Sequence, residues 1–343
     1  MHSGVYDHNR QDGGGCPPHQ AVGPGTNDPT NDNVSPADQP LRDSLKQLKW
    51  HLGLGAFLLF SWPIALLPRQ VAVWLGGTAG NLAYLLLRKE RTTVVENIRS
   101  SLPYLETVPG WTPDHGTPEA IARRNFANYG RTIVEALKLY YGLGKPFMNE
   151  LELRGIEHFE RAREQGKGTF FITGHCGNWE LMALTFGVRY NEVAVVARRQ
   201  KYDPLTNFLE RLRHRFGNHV IYADGAARSI FLKLRKNDTI GILIDQAVQP
   251  DEGAIVDFLG RGAWTTTMPV KIAGKTGTPL LPIFIHREGG RHVVTIHPAV
   301  ELPPHNPIAG TRLLNRAIEE YIARHPDEWL WVYRRWKRVP ETD

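Results

Sequence analysis

Cysteine is nearly missing from this chain: Cys16 and Cys176 are the only two among 343 residues. A disulfide scaffold is thereby excluded. Cys16 lies in Gly/Pro-rich sequence and Cys176 in an apolar segment, so the two are not expected to pair, and a reducing compartment fits such usage. No G-x-S-x-G elbow is present, which argues against a thioesterase or lipid hydrolase built on a serine nucleophile. There is no H-E-x-x-H, and His286, His292, His297 and His305 lack ligand-like spacing, so no metal is expected. The reading requires no cofactor of any other kind. A basic start followed by an apolar stretch is also missing, so no secretory signal is expected. Mean hydropathy is −0.34, which excludes a polytopic membrane protein but not a short anchor. No internal repeat is apparent.

What is present is close to a globular average, with 41% hydrophobic and 22% charged residues, so wholesale disorder and fibrous repeats are excluded. A net charge of +6 and a pI near 9.3 favour anionic partners: phosphates, acidic proteins or anionic membrane. Residues 1–45 read as a disordered tail, with twelve Gly or Pro, six Asp and only five Leu, Ile, Val or Phe. Such a stretch buries too little apolar surface to offset its ordering entropy. Its triple glycine, Gly13–Gly15, has no strand before it and no helix after it, so a phosphate loop is not expected. Residues 46–92 read as a membrane-associating helical segment, through two uncharged runs, Trp50–Pro68 of 19 residues and Gln70–Leu87 of 18, separated by Arg69. A span needs about 20 apolar residues, and Pro63 and Pro68 would kink a straight helix. Lys46, Lys49, Arg69, Arg88, Lys89 and Arg91, with Trp50, Trp62 and Trp74, edge these runs as at a membrane interface. The other reading is a pair of buried core helices.

Residues 93–343 read as an α/β domain. Thr117-Pro118-Glu119 caps and starts a long helix that ends near Gly142. Apolar runs at Thr169–Thr173, Val193–Ala197, Val220–Tyr222, Thr239–Ile244, Leu280–Ile285 and His292–His297 predict strands. Between and after them, Trp179–Val188, Asp203–Phe216, Ala226–Arg235, Met268–Lys275 and Thr311–Arg324 predict helices. This alternation implies a largely parallel or mixed sheet covered by helices.

In an open α/β sheet, ligands sit beyond the carboxyl ends of the strands. The richest such point is Thr-Phe-Phe-Ile-Thr-Gly-His-Cys-Gly-Asn-Trp-Glu, residues 169–180. The strand ends at Gly174, His175 falls in the turn, Asn178 caps the next helix and Glu180 is in its first turn. One reading is a dyad in which Glu180 fixes the His175 tautomer and leaves the other ring nitrogen as a general base. The other is a packed turn histidine and a glutamate that merely complements the helix dipole. A hydrogen bond between the two distinguishes these readings. Cys176 is read as small filler. Residues 198–236 hold ten Lys or Arg against three acids. Most of these, Arg213 included, are expected on solvated helix faces. Arg198 and Arg199 instead emerge at the same sheet edge as His175, where arginine can grip a phosphate with both forks. Asp245 and Gln246 are delivered there by the strand Thr239–Ile244. The basic stretch lacks aromatic stacking positions, so nucleic acid is not an expected partner.

His175-Cys-Gly-Asn-Trp-Glu180 resembles the HX4(D/E) block of glycerolipid-type acyltransferases, and its surroundings resemble the bacterial lipid A secondary (lauroyl/myristoyl) acyltransferase family. The resemblance rests also on Glu96-Asn-Ile-Arg99 before Leu102-Pro103, on Asp245-Gln246, and on Asp257-Phe-Leu-Gly-Arg-Gly-Ala263 with Thr265–Thr267. Two further blocks are Ile272-Ala-Gly-Lys-Thr-Gly-Thr-Pro279 leading to Pro282, and His325-Pro-Asp-Glu-Trp-Leu-Trp-Val-Tyr-Arg-Arg-Trp-Lys337, expected as a final helix. It covers residues 50–338. The 1–45 extension departs from the pattern, as does Met268-Pro269, where a small residue is usual. The resemblance implies a glycerolipid-acyltransferase-like sheet, preceded by an apolar helical membrane segment, at the cytoplasmic face of the bacterial inner membrane. It implies transfer of a fatty acyl chain from acyl carrier protein or acyl-CoA to a hydroxyl of an anionic glycolipid, in lipid A precursor biosynthesis. The alternative acceptor is a phosphatidylinositol mannoside acylated with acyl-CoA. On this reading His175 is the base, Glu180 its orienting carboxylate, Arg198 a phosphate ligand, and Asn178, Asp245 and Gln246 contact substrate. Backbone N–H groups near Gly177 and at the helix start are expected to hold the oxyanion, and the basic stretch to dock acyl carrier protein or the anionic membrane surface. A non-catalytic membrane-docked lipid-binding protein is the competing class.

Overall fold

The computed structural model describes residues 39–190, 193–198, 203–222 and 225–339. Contacts divide the chain into Met1–Leu48 and Lys49–Asp343, and the sheet with its covering helices belongs to the larger unit. Cys16 and Gly13–Gly15 lie outside the described residues, as do Arg199 and most of the expected tail. Residues 39–45, assigned to that tail from sequence, instead begin helix α1 (Gln39–Leu66).

Helices α2 (Arg69–Leu86) and α3 (Arg88–Leu105) come next, and the boundary expected at residue 92 falls inside α3. Among the described residues no single helix is long and apolar enough to cross a membrane, and α2 and α3 meet at 93°. The glycines that weaken α2 as a span have a packing use. A Cβ at Gly80 would stand 2.1 Å from the Phe126 carbonyl, and one at Gly130 would stand 2.0 Å from that of Gly76. Only glycine lets α2 approach α4 (Pro118–Tyr140) this closely. Lys138 of α4 donates to the carbonyls of Ala65 and Leu67 at 2.8 and 2.6 Å, which satisfies the otherwise orphaned end of α1. Thr117 caps α4 through the Ala120 N–H, as its sequence predicts.

The short helix α5 (Lys145–Asn149) leads into an α/β unit of β1 (Glu152–Arg154), α6 (Ile156–Glu164), β2 (Thr169–Thr173), α7 (Trp179–Tyr190), β3 (Val193–Ala197), α8 (Asp203–Arg215), β4 (Asn218–Tyr222), α9 (Ala226–Leu234) and β5 (Thr239–Leu243). The hairpin β6 (Gly253–Phe258) and β7 (Arg261–Thr266) comes next, then α10 (Met268–Thr276), β8 (Leu280–Glu288), β9 (Arg291–Ile296) and α11 (Pro307–Arg324). Seven strands form one sheet in the order β1-β9-β8-β2-β5-β3-β4, and β6-β7 stands apart. Strands β8, β2, β5, β3 and β4 are parallel, while β9 runs antiparallel to β8. Strand β2 is buried along its whole length, as its uncharged Thr-Phe-Phe-Ile-Thr run suits for a central parallel strand. Its side chains alternate between two cores. Phe170 and Ile172 join one with Ile240, Ile242 and Phe284, and Phe171 joins the other with Leu181, Phe186 and Ile283.

The final block is not a helix. Chain direction changes at His325, Pro326–Glu328 makes one tight 3-10 turn, and Trp329 then bridges in extended form to Cys176. Buried indoles and a buried guanidinium hold this segment in place of helical bonds. Trp331 Nε1 donates to the Pro326 carbonyl at 2.6 Å, and Arg335 donates to the carbonyl of Trp264 and the hydroxyl of Thr265.

Candidate active site

The turn after β2 is built by two partners remote in sequence. The Gly177 N–H donates to the Glu328 carbonyl at 2.7 Å, and the Leu330 N–H donates to the His175 carbonyl at 3.1 Å. Gly177 takes φ +53°, and a Cβ there would meet the Ile285 carbonyl at 2.2 Å, so this bend excludes every side chain. The bond to Glu328 occupies the Gly177 N–H, which is therefore itself no oxyanion donor.

His175 closes on Asp245, not on Glu180. Its Nδ1 lies 2.7 Å from Asp245 Oδ1, and its backbone N–H donates to Asp245 Oδ2 at 2.7 Å. Trp329 Nε1 donates to the same Oδ2 at 2.8 Å. Asp245 stands just past β5, which pairs directly with β2, so the sheet itself sets them side by side. Burial opposes ionisation of Asp245, but the adjacent imidazole and the three hydrogen bonds outweigh it and hold the carboxyl below its usual range. An ionised carboxylate only accepts, so Nδ1 carries the proton. The amide nitrogen of Gln246 sits 3.2 Å from Nε2, and an amide N–H only donates, so Nε2 offers its lone pair. The Trp179 ring lies edge-on at 5.0 Å.

Glu180 is engaged elsewhere. Arg213 of α8 grips it with both forks, Nε to Oε1 at 2.7 Å and Nη2 to Oε2 at 3.0 Å. Arg213 therefore does not belong to a solvated face: both side chains are mostly buried. Asn178 is 1% exposed, with its Oδ1 accepting the Leu181 N–H that caps α7 and its Nδ2 donating to Glu135 Oε2 at 2.8 Å. Both of its polar atoms thus hold the turn. Arg198 is half exposed and paired with Glu252 at 2.6 Å.

Three residues with no assigned role in the sequence reading brace Asn178. Glu135 of α4 is buried and accepts from Arg287 Nη2 at 3.0 Å and faces His292 Nε2 at 3.1 Å. Burial would raise the Glu135 carboxyl, yet the Arg287 charge and the two partners bring it down to about 2. Glu328 is the opposite case: burial pushes it up to about 7 against the pull of the Arg287 N–H and charge. Cys176 is fully buried, and burial, then the charges of Asp245 and Glu328, push its thiol well up, so it is no nucleophile.

His175, Trp179, Glu180, Arg198, Arg213 and Gln246 line a cavity of about 590 Å³, whose lining does not include Asn178. Behind them it runs between the sheet and one face of α7. Trp179, Met182, Ala183 and Phe186, spaced as one helical stripe, face Phe171, Val195 and Gly241 of the strands. The arrangement thus offers an imidazole of fixed tautomer, backed by a buried carboxylate, at the polar end of an apolar slot.

The sequence matches the bacterial lipid A biosynthesis acyltransferase family model over residues 41–338, and the chain belongs to that family of acyl-transferring enzymes. It is 26% identical to the phosphatidylinositol mannoside acyltransferase of Mycobacterium tuberculosis (strain CDC 1551 / Oshkosh), covering 65% of this chain and 72% of that one. It is 24% identical to the lipid A biosynthesis acyltransferase of Haemophilus influenzae, over 84% and 88%. With the lipid A biosynthesis lauroyltransferase of Escherichia coli K12 it shares 22% identity over 86% and 92%. These relatives divide between lipid A enzymes and a phosphatidylinositol mannoside enzyme.

Proposed function

We propose that this protein is a membrane-associated O-acyltransferase. It moves a fatty acyl chain from acyl carrier protein, or alternatively acyl-CoA, to a hydroxyl of an anionic glycolipid at the cytoplasmic face of the bacterial inner membrane. The observation that carries this reading is the His175–Asp245 pair at the mouth of an apolar cavity. The acceptor hydroxyl displaces Gln246 from His175 Nε2 and gives up its proton there as its oxygen attacks the thioester carbonyl. Asp245 stabilises the imidazolium so formed. On collapse the C–S bond breaks, and the departing thiolate takes the proton back from Nε2. The acyl chain lies in the slot between α7 and the sheet, and Arg198 at its mouth takes a phosphate of acceptor or donor.

Membrane association is supported by the exposed side chains of α1 and α2, among them Phe57, Leu59, Trp62, Leu66, Trp74 and Leu85, beside exposed Arg88 and Lys89. Apolar and aromatic groups with basic neighbours suit insertion into an anionic interface without a span. Lipid A precursor is the favoured acceptor, because the lipid A relatives align over more of this chain than the mannoside relatives do. The test is transfer by the purified protein from acyl-acyl carrier protein and acyl-CoA to each acceptor in turn, read by lipid mass spectrometry. Product with a glycolipid, lost in His175→Ala, supports the reading. A folded wild-type protein that acylates neither acceptor from either donor overturns it.

A further inference from the structure

Strand β5 lies in the interior of the seven-stranded sheet, paired on both sides, and such positions are ordinarily filled by β-branched or aromatic residues. Its central residue is glycine. Gly241 sits on one rung with Phe171 of β2 and Val195 of β3. Its chain neighbours Ile240 and Ile242 are buried, whereas Gly241 is partly exposed. The exposure is to the cavity, whose lining includes Phe171, Gly241 and Val195. No turn or positive φ calls for glycine here. A Cβ at Gly241 would meet only Val195 Cγ1 at 3.7 Å and the Ala194 carbonyl at 3.9 Å, both ordinary contacts. Neither backbone conformation nor close packing therefore explains the residue, and the empty space above it does.

That space has a definite depth. Gly241 shares the rung of Phe171, four residues back from His175, so it lies roughly 13 Å below the base at the rise of a strand. Beside it, at the same depth, the slot meets an aromatic floor: Phe171 packs edge-on against Phe186 at 5.0 Å and tilts against Phe159 at 4.8 Å.

We infer that Gly241 determines the length of acyl chain the enzyme accepts, its missing side chain forming the passage by which the chain reaches the Phe171–Phe186 floor. This rests on the acyl-transfer reading and adds to it a specificity-determining position. A side chain at 241 fills the passage from the sheet side, and the methylenes it displaces lose their burial.

The test is binding of a saturated series, octanoate to palmitate and the matching acyl-CoAs, to wild type and to Gly241→Ala, Gly241→Val and Gly241→Leu. It is read by calorimetry, beside a thermal melt. Wild type should bind its longest accepted chain best. The optimum should move to shorter chains in the order Ala, Val, Leu, with octanoate unaffected. Gly241→Val should weaken the longest chain about tenfold, the worth of two buried methylenes. Unaltered length preference in folded Gly241→Val overturns the inference while leaving the acyl-transfer reading intact. Failure of folded wild type to bind any member overturns the inference, whereas the acyl-transfer reading falls only if transfer fails from both donors. If Gly241→Leu does not fold, Gly241→Ala and Gly241→Val decide, because the Cβ has room.

Discussion

Two carboxylates flank the turn that carries His175, and they illustrate opposite relations between sequence and space. Glu180 is five residues away and is held by Arg213 from the next helix. Asp245 is seventy residues away and holds His175 at two atoms. The difference is one of backbone geometry. Glu180 starts a helix whose axis leads away from the turn, and Arg213 offers it a planar two-pronged partner. Asp245 leaves a strand hydrogen-bonded to the strand that delivers His175. Spacing along the chain identifies the elements, but strand adjacency decides which side chains meet.

The largest effect that sharpens this contrast is expected at the histidine pair. General-base assistance is worth about 10²–10⁴-fold in rate, so His175→Ala should lose that much transfer while still binding donor. Asp245→Asn should fall into the same range, chiefly in kcat, and the double variant should be little worse than His175→Ala alone. At the other carboxylate the expected damage is to stability first. Arg213→Ala strands a buried charge, which typically costs about 3–5 kcal/mol. It should lower the melting temperature by several degrees, and Glu180→Gln/Arg213→Met should restore much of the loss. A Glu180→Gln variant that folds normally but is as inactive as His175→Ala would break the contrast.

A third expectation concerns Glu328, whose carbonyl holds Gly177. Its carboxyl rises in the folded state to about 7 from an ordinary 4.5. The folded protein therefore binds the extra proton between those values. The contribution is fully present below pH 4.5 and is lost as pH rises through 7. Glu328→Gln should flatten that decline in thermal melts between pH 5 and 8, and an unchanged slope would contradict it. Smallest of all, Cys176→Ala should leave turnover within about twofold, since the pair needs no thiol and one small side chain costs little chemistry. An inactive, folded Cys176→Ala with an active His175→Ala would point to a covalent acyl-enzyme route.

The elements that carry the site were legible because their signals are local. The apolar run Phe170-Phe171-Ile172 between two threonines, just before Gly174, marks β2, and Thr117-Pro118 marks the start of α4. The position of His175 at a strand's carboxyl end followed from that pattern. Asp245 and Gln246 were placed at the same edge, but the pairing of Asp245 with His175 required the order β2-β5-β3, which no periodicity encodes. The hairpin β6-β7 was missed because Gly253, Gly260 and Gly262 interrupt its alternation. Trp329 and Trp331 fall in a block visible only by family resemblance, whose role arises from the Trp329 bond to the remote Asp245 and the Trp331 bond to the Pro326 carbonyl. The buried trio of Glu135, Arg287 and His292 was equally hidden, because an isolated charge in an apolar segment says nothing of its partner.

The claim that Asp245 orients His175 is tested most directly by the Nδ1 proton. Histidine-labelled protein should show strongly downfield ring N–H signals in proton–nitrogen spectra near neutral pH from imidazoles bonded to buried carboxylates, one from His292 at Glu135 and one, identified by its loss in His175→Ala, from His175 at Asp245. Asp245→Asn should remove or shift the His175 resonance while Glu180→Gln leaves it in place. A His175 resonance unmoved by Asp245→Asn and lost in folded Glu180→Gln would contradict the claim.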